Sequence, residues 1–220
     1  MLNSAETTTL TKRAIVANDL VAVAELLDLA EQHLHATDIT SNTGWYNLSI
    51  IAQVARSTNS PVLSLARQAA IQNADKAESD YCRILRDMVL VESGDPIELI
   101  EEHIESTDRV GYYVAKRASH LAAEQNNPRI LRKCLTRLSS FDNVDGLNGS
   151  PHINWLIAKA LLDKVMGKPV DRDELCAKIR STPYLWKCYC REISSVLGSH
   201  DSDTCAACVA KMAGIPQLGE

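Results

Sequence analysis

Apolar residues return every three or four positions along most of this chain. Leu20, Val23, Ala24, Leu27, Ala30 and Leu34 show the spacing early and predict a helix over Leu20–His35, paired with one over Thr9–Ala17 across Asn18-Asp19. Polar tripeptides followed by proline interrupt the pattern four times. The contexts are Thr58-Asn59-Ser60-Pro61, Ser93-Gly94-Asp95-Pro96, Gln125-Asn126-Asn127-Pro128 and Met166-Gly167-Lys168-Pro169. Proline after Ser, Asp or Asn suits the first position of a helix. Gly94 and Asn126 suit a left-handed residue that ends the helix before.

The first three of these prolines are spaced 35 and 32 residues apart. Fifteen positions before them stand Tyr46, Tyr81 and Tyr113; seven before stand Val54, Val89 and Leu121; six before stand Ala55, Leu90 and Ala122. One unit is therefore an aromatic-led helix of about four turns, a short turn, and a second helix, over Pro61–Asn73, Pro96–Glu105 and Pro128–Ser139. The C-terminal third reads as Trp155–Met166 with Arg172–Ile179, then Tyr184–Leu197 with Asp203–Ala213. The Asn-, Asp- and Gly-rich loop Phe141–Ser150 is the one plausible subdomain boundary. The expected fold is all-α, an α-solenoid of about 10–12 helices in antiparallel pairs stacked right-handedly. Residues 1–140 would form the repeat region, and residues 150–220 would continue it within a single domain.

The period, the helix pairing, the tyrosines and the small residues Ala55 and Ala122 resemble tetratricopeptide-like repeats, whose unit is about 34 residues. The resemblance covers residues 18–139 best. The family's fuller pattern of Trp, Leu-Gly and a late Pro is not reproduced, which leaves HEAT-type helix pairs open. The resemblance implies a stacked-helix scaffold that binds a protein or peptide.

Composition supports the helical reading. Leu and Ala contribute 25 residues each, whereas Gly numbers 9, Pro 7 and aromatics 5%; a sheet protein needs more turn punctuation and more β-branched and aromatic residues. No apolar run is long enough to span a membrane. The first residues lack the basic and apolar regions of a secretory signal, so a cytoplasmic protein with reduced thiols is expected from its seven Cys. The net charge of -5 argues against nucleic acid as a partner. It is unevenly spread: residues 1–110 carry 8 Lys/Arg against 17 Asp/Glu (net -9), and residues 111–220 carry 15 against 11 (net +4).

Three stretches carry candidate chemistry. Cys205-Ala206-Ala207-Cys208, with His200 upstream and Cys188 and Cys190 on the preceding helix, has ligands for zinc or a redox thiol pair. A helical Cys188 and Cys190 point about 200° apart, which is poor for a tetrahedral site. Burial as small apolar side chains on Ala-rich helices explains the same cysteines. The loop Asp142–Gly149 fails as a calcium loop, because its carboxylates fall at positions 1 and 4, Gly at 5, and Ile153 at 12. Finally, Glu98, Glu101, Glu102 and Glu105 follow Pro96 at helical spacing, and Arg129, Arg132, Lys133 and Arg137 follow Pro128. Counted from each proline, Glu101 aligns with Lys133 and Glu105 with Arg137. The structural reading is an ion-pair ladder between neighbouring repeats; the functional one is a basic patch, extended by Lys116 and Arg117, for an acidic peptide or nucleic acid.

These features favour a non-enzymatic interaction module without a cofactor, an adaptor or chaperone-like scaffold. It would bind a protein or peptide in a helical groove through Tyr112, Lys116, Arg117, Arg129, Arg132 and Arg137. Tyr46, Tyr81, Tyr112 and Tyr113, with Trp45, would pack the repeats, or some of them would line that groove. The alternative is a small zinc- or thiol-dependent protein using Cys205 and Cys208, with His200. The apolar final helix also points to a homodimer through the C-terminal helices.

Overall fold

The computed structural model describes residues 21, 24–28, 39, 41–106, 109–141, 150–181, 193 and 196. Among these residues the protein is helical and no strand occurs. The chain divides into two compact units, Met1–Ile100 and Glu101–Glu220.

The first unit contains α1 (Asn42–Ser57), α2 (Val62–Gln72) and α3 (Asp80–Glu92), with short 3-10 turns at Ala74–Lys76 and Ile97–Ile100. Polar side chains cap α1 and α3. Ser41 Oγ accepts from Gly44 N at 3.1 Å, and Ser79 Oγ accepts from Cys82 N at 3.1 Å, each engaging a first-turn N–H that has no partner inside its helix. The three helices pack on one another around Trp45, Leu48, Ile51, Leu85 and Val89. Ala52, Ala55, Ala66 and Ala70 are fully buried in the same core.

The second unit contains α4 (Glu101–Ile104), α5 (Arg109–Glu124), α6 (Pro128–Ser139), α7 (Ser150–Val165) and α8 (Arg172–Ser181). Here α5, α6 and α7 pack against one another, α4 lies on α5 and α6, and α8 on α7. The sequence places its subdomain boundary at Phe141–Ser150, of which residues 142–149 lie outside the described residues. The N-terminal pair over Thr9–Ala17 and Leu20–His35 and the last pair over Tyr184–Leu197 and Asp203–Ala213 lie wholly or largely outside the described residues.

The proline contexts share one backbone conformation. Asn59, Gly94, Asn126 and Gly167 have φ of 53°, 105°, 52° and 68°, and each sits two residues before its proline. The next residue donates back to a carbonyl in the last turn of the helix: Ser60 N to Ala55 O (2.8 Å), Asp95 N to Leu90 O (3.1 Å), Asn127 N to Ala122 O (2.7 Å) and Lys168 N to Asp163 O (2.8 Å). The left-handed residue itself donates to the Arg56, Val91, Ala123 and Lys164 carbonyls at 3.0–3.2 Å. This is the Schellman closure, which satisfies carbonyls that the helix leaves unpaired. So α1, α3, α5 and α7 end in the same way, and the carbonyl acceptors in the first three are the residues six before each proline.

Beyond the proline the chain is less regular. Pro128 opens α6 directly, with Asn127 Oδ1 accepting from Ile130 N at 3.2 Å. Pro61 caps α2 from one residue outside. After Pro96 the expected single helix is a 3-10 turn continued by the four residues of α4. The tyrosines at the helix starts also differ from one another. Tyr46 and Tyr81 are half-buried against the first core, but Tyr113 is 58% exposed and Tyr112 takes the inward place.

Two glycines test this architecture. A Cβ at Gly94 would meet no neighbouring atom, but the residue has a φ that L side chains rarely adopt. Gly94→Ala should therefore lower stability by about 1–2 kcal/mol through backbone strain alone. At Gly111 a Cβ would lie 2.0 Å from the Ser106 carbonyl oxygen, so backbone must move. Gly111→Ala should cost about 3 kcal/mol or more in chemical denaturation, clearly exceeding Gly94→Ala.

Candidate functional site

The sequence of α6 sorts its side chains into two faces. Ile130, Leu131, Cys134 and Leu138 recur at helical spacing and are fully buried, which drives Arg129, Arg132, Lys133, Thr136 and Arg137 toward the other side. Burial pushes the Cys134 thiol up to about 12, so it is a packing residue rather than a nucleophile.

The carboxylates around α4 engage half of the basic face. Arg129 binds Glu101 through both ends of its guanidinium, with Nη1 to Oε1 at 2.5 Å and Nη2 to Oε2 at 2.7 Å. Lys133 Nζ reaches Glu101 at 2.7 Å and Glu105 at 2.6 Å. The hydrogen bonds from Arg129 and Lys133 hold the Glu101 carboxyl down to about 2, and the same carboxylates raise the Lys133 ammonium. The rung aligning Glu101 with Lys133 is thus present. The rung aligning Glu105 with Arg137 is not: Glu105 turns back to Lys133, one turn nearer.

Arg137 is engaged by an aromatic ring. Its guanidinium carbon lies 4.6 Å from the centre of the Phe141 ring. Phe141 is buried and meets Tyr112 edge-on at 5.4 Å. Tyr112 in turn accepts a hydrogen bond from the buried amide of Asn154. Tyr112, 2% exposed, therefore holds Phe141 from within and is not the surface contact residue that the sequence suggests. Arg137 Nε is covered and has no hydrogen-bond partner among the described residues. Arg132 is exposed and lies 3.8 Å from the thioether of Met166. Neither Arg132 nor Arg137 pairs with a carboxylate among the described residues.

These two arginines line an open cleft of about 450 Å³ with Glu105, Lys133, Thr136 and Ser140. Thr136 Oγ1 donates to Arg132 O at 3.1 Å and Ser140 Oγ to Arg137 O at 2.7 Å, so among the described residues the two guanidinium groups are the donors of the cleft not taken up by an oxygen acceptor. Of the six residues predicted for partner contact, Arg132 and Arg137 line the cleft, Arg129 stands beside it in its ion pair, and Lys116 and Arg117 are half-buried on α5 away from its lining. The sequence reading does not find Thr136, Ser140 or the supporting Phe141. A signal exists for the last: Phe141, the single Phe of the chain, stands four residues after Arg137, the spacing at which helical side chains meet.

Lys116 and Arg117 have an electrostatic effect nearer home. Burial, with the charges of Arg117 and Lys116, pushes the His120 imidazole down to about 3. His200, Cys188, Cys190, Cys205 and Cys208 lie outside the described residues. Among the described residues no group of three or more His, Cys, Asp or Glu side chains is placed to hold a metal ion, and no helix is long and apolar enough to cross a membrane. The chain matches no protein-family model, no curated protein and no solved structure.

Two titrations test this electrostatic arrangement. Glu101 is lowered from 4.5 to about 2, so its contribution to stability is complete above 4.5 and is lost as pH falls toward 2. Replacing both Arg129 and Lys133 with Gln should return its NMR midpoint toward 4.5. His120 is also lowered, from 6.5 to about 3, so the unfolded chain takes up that proton first and stability declines as pH falls below 6.5. His120→Asn should flatten the decline between those values in denaturation curves; an unchanged slope would exclude His120 as its source.

Proposed function

We propose that the chain is a non-enzymatic interaction module of tetratricopeptide-like helix pairs that binds an acidic protein or peptide segment at the cleft beside α6. The observation that carries this reading is the division of labour on one helix. Arg129 and Lys133 are neutralised by Glu101 and Glu105, whereas Arg132 and Arg137 have no carboxylate partner among the described residues and line the cleft together. Unpaired guanidinium groups present planar, forked donors that match carboxylates. Their field is concentrated in a concave surface, where it is least weakened by solvent. The paired residues serve the other purpose weighed for this face, fixing α4 to α6. Exposed pairs of that kind add little to stability, enough to hold a register and not much more.

The reading makes the two halves of the patch separable. In fluorescence anisotropy with Glu/Asp-rich peptides, the wild-type chain should bind in a salt-sensitive manner, and Arg132→Glu with Arg137→Glu should weaken binding by about tenfold or more. Arg129→Glu should reduce thermal stability more than it reduces peptide affinity. Equal binding by wild type and the double variant, both folded, would refute the assignment of this cleft.

A further inference from the structure

We propose that the cleft reads phosphorylation: it receives the phosphoryl group of a phosphoserine or phosphothreonine side chain in the bound segment. This rests on the reading of the cleft as an acid-binding surface and specifies the acid. A carboxylate brings one negative charge, whereas a phosphoserine or phosphothreonine brings about -1.5 to -2 at neutral pH. The cleft offers two guanidinium groups, Arg132 and Arg137, whose charges no carboxylate cancels among the described residues. The charge of its third cation, Lys133, is already shared between Glu101 and Glu105. A group carrying close to two negative charges matches that surplus better than a carboxylate does.

The support behind the two arginines favours the same ligand. Arg137 sits over Phe141, and Phe141 is held by Tyr112, so this guanidinium is positioned before anything binds. Its covered Nε has no acceptor among the described residues, which leaves the terminal N–H groups as its means of recognition. A forked donor held in place suits a tetrahedral oxyanion, which offers adjacent oxygens in several orientations. Arg132, exposed beside Met166, adds a second guanidinium to the lining of the cleft. The volume of about 450 Å³ accommodates a phosphorylated side chain with part of its flanking backbone. Glu105 also lines the cleft, and its ion pair with Lys133 offsets its repulsion of an anion. A diester backbone brings a single charge per phosphate, which is why a phosphopeptide fits the surplus better than a nucleic acid.

The test uses the full chain and three degenerate peptide libraries, identical except for phosphoserine, glutamate or serine fixed at the centre, with a poly(U) RNA as competitor. The phosphoserine library should bind about tenfold more tightly than the glutamate library, and the serine library more weakly than both. Arg132→Gln and Arg137→Gln should each abolish most of that preference, and Arg132→Lys should restore only part of it, because lysine keeps the charge and loses the fork. Arg129→Gln should leave the preference within about twofold. Circular dichroism confirms folding, and Arg132→Gln serves as the decisive variant if loss of Arg137 disturbs Phe141. Equal affinity for the glutamate and phosphoserine libraries would overturn the phosphate assignment while leaving an acid-binding cleft. Binding of neither library would overturn both readings. A phosphoserine preference that survives Arg132→Gln, or RNA displacing the phosphopeptide at lower concentration, would also overturn the proposal.

Discussion

A left-handed residue two positions before a proline is the constraint on which the rest of the architecture depends. At Asn59, Gly94, Asn126 and Gly167 the chain reverses hand, and the two N–H groups at the reversal bond back to the last turn of the helix. Those bonds take up carbonyls that would otherwise be left unpaired, and the proline beyond has no N–H with which to extend the helix. Termination is thus set by the backbone rather than by where apolar residues run out. The consequence lies one helical turn away. Val54, Val89 and Leu121, each seven residues before a proline, are all fully buried, because a fixed helix end also fixes which positions face inward.

With the helix ends fixed, charge acts on register. Glu101 receives both terminal nitrogens of Arg129 and the ammonium of Lys133, and Lys133 spans two carboxylates. One carboxylate holding two cations is a network, and networks specify a relative position better than isolated pairs do. In the first unit the same kind of bond occurs: Arg67 on α2 holds the Asp95 carboxylate in the turn after α3, at 2.7 and 3.0 Å. Asp95 also takes part in the Schellman closure there, so the helix end and the ion pair reinforce one another.

The helix ends are legible in the sequence because their determinants are local. Gly or Asn shortly before Pro states its backbone preference within a few residues, and four helices end at such sites. The segment after Pro96 is less legible: its glutamates follow helical spacing, yet the chain forms a 3-10 turn and only four α-helical residues. The tyrosines are legible as a class but not by position. Tyr112 and Tyr113 are adjacent, so helical geometry sends them in different directions, and the choice falls to Asn154 and Phe141, which lie far along the chain. For the charged face, spacing from the prolines finds the rung between Glu101 and Lys133. It does not find that Lys133 also takes Glu105, because a flexible side chain reaches to the next turn and alignment by register allows only one partner per residue.

That second contact of Lys133 shapes the cleft. Had Glu105 paired with Arg137, both ends of the basic face would be neutral and the ring of Phe141 would lack its cation. By drawing Glu105 away, Lys133 leaves Arg137 to the aromatic ring, which screens a charge far less than a carboxylate does. Among the described residues the arginine is held in place without being neutralised. The contacts thus run without a break from buried Asn154 through Tyr112 to Phe141, whose ring lies under the Arg137 guanidinium. Among the described residues Arg137 thus stands at a concave surface, fixed by a ring and paired with no carboxylate.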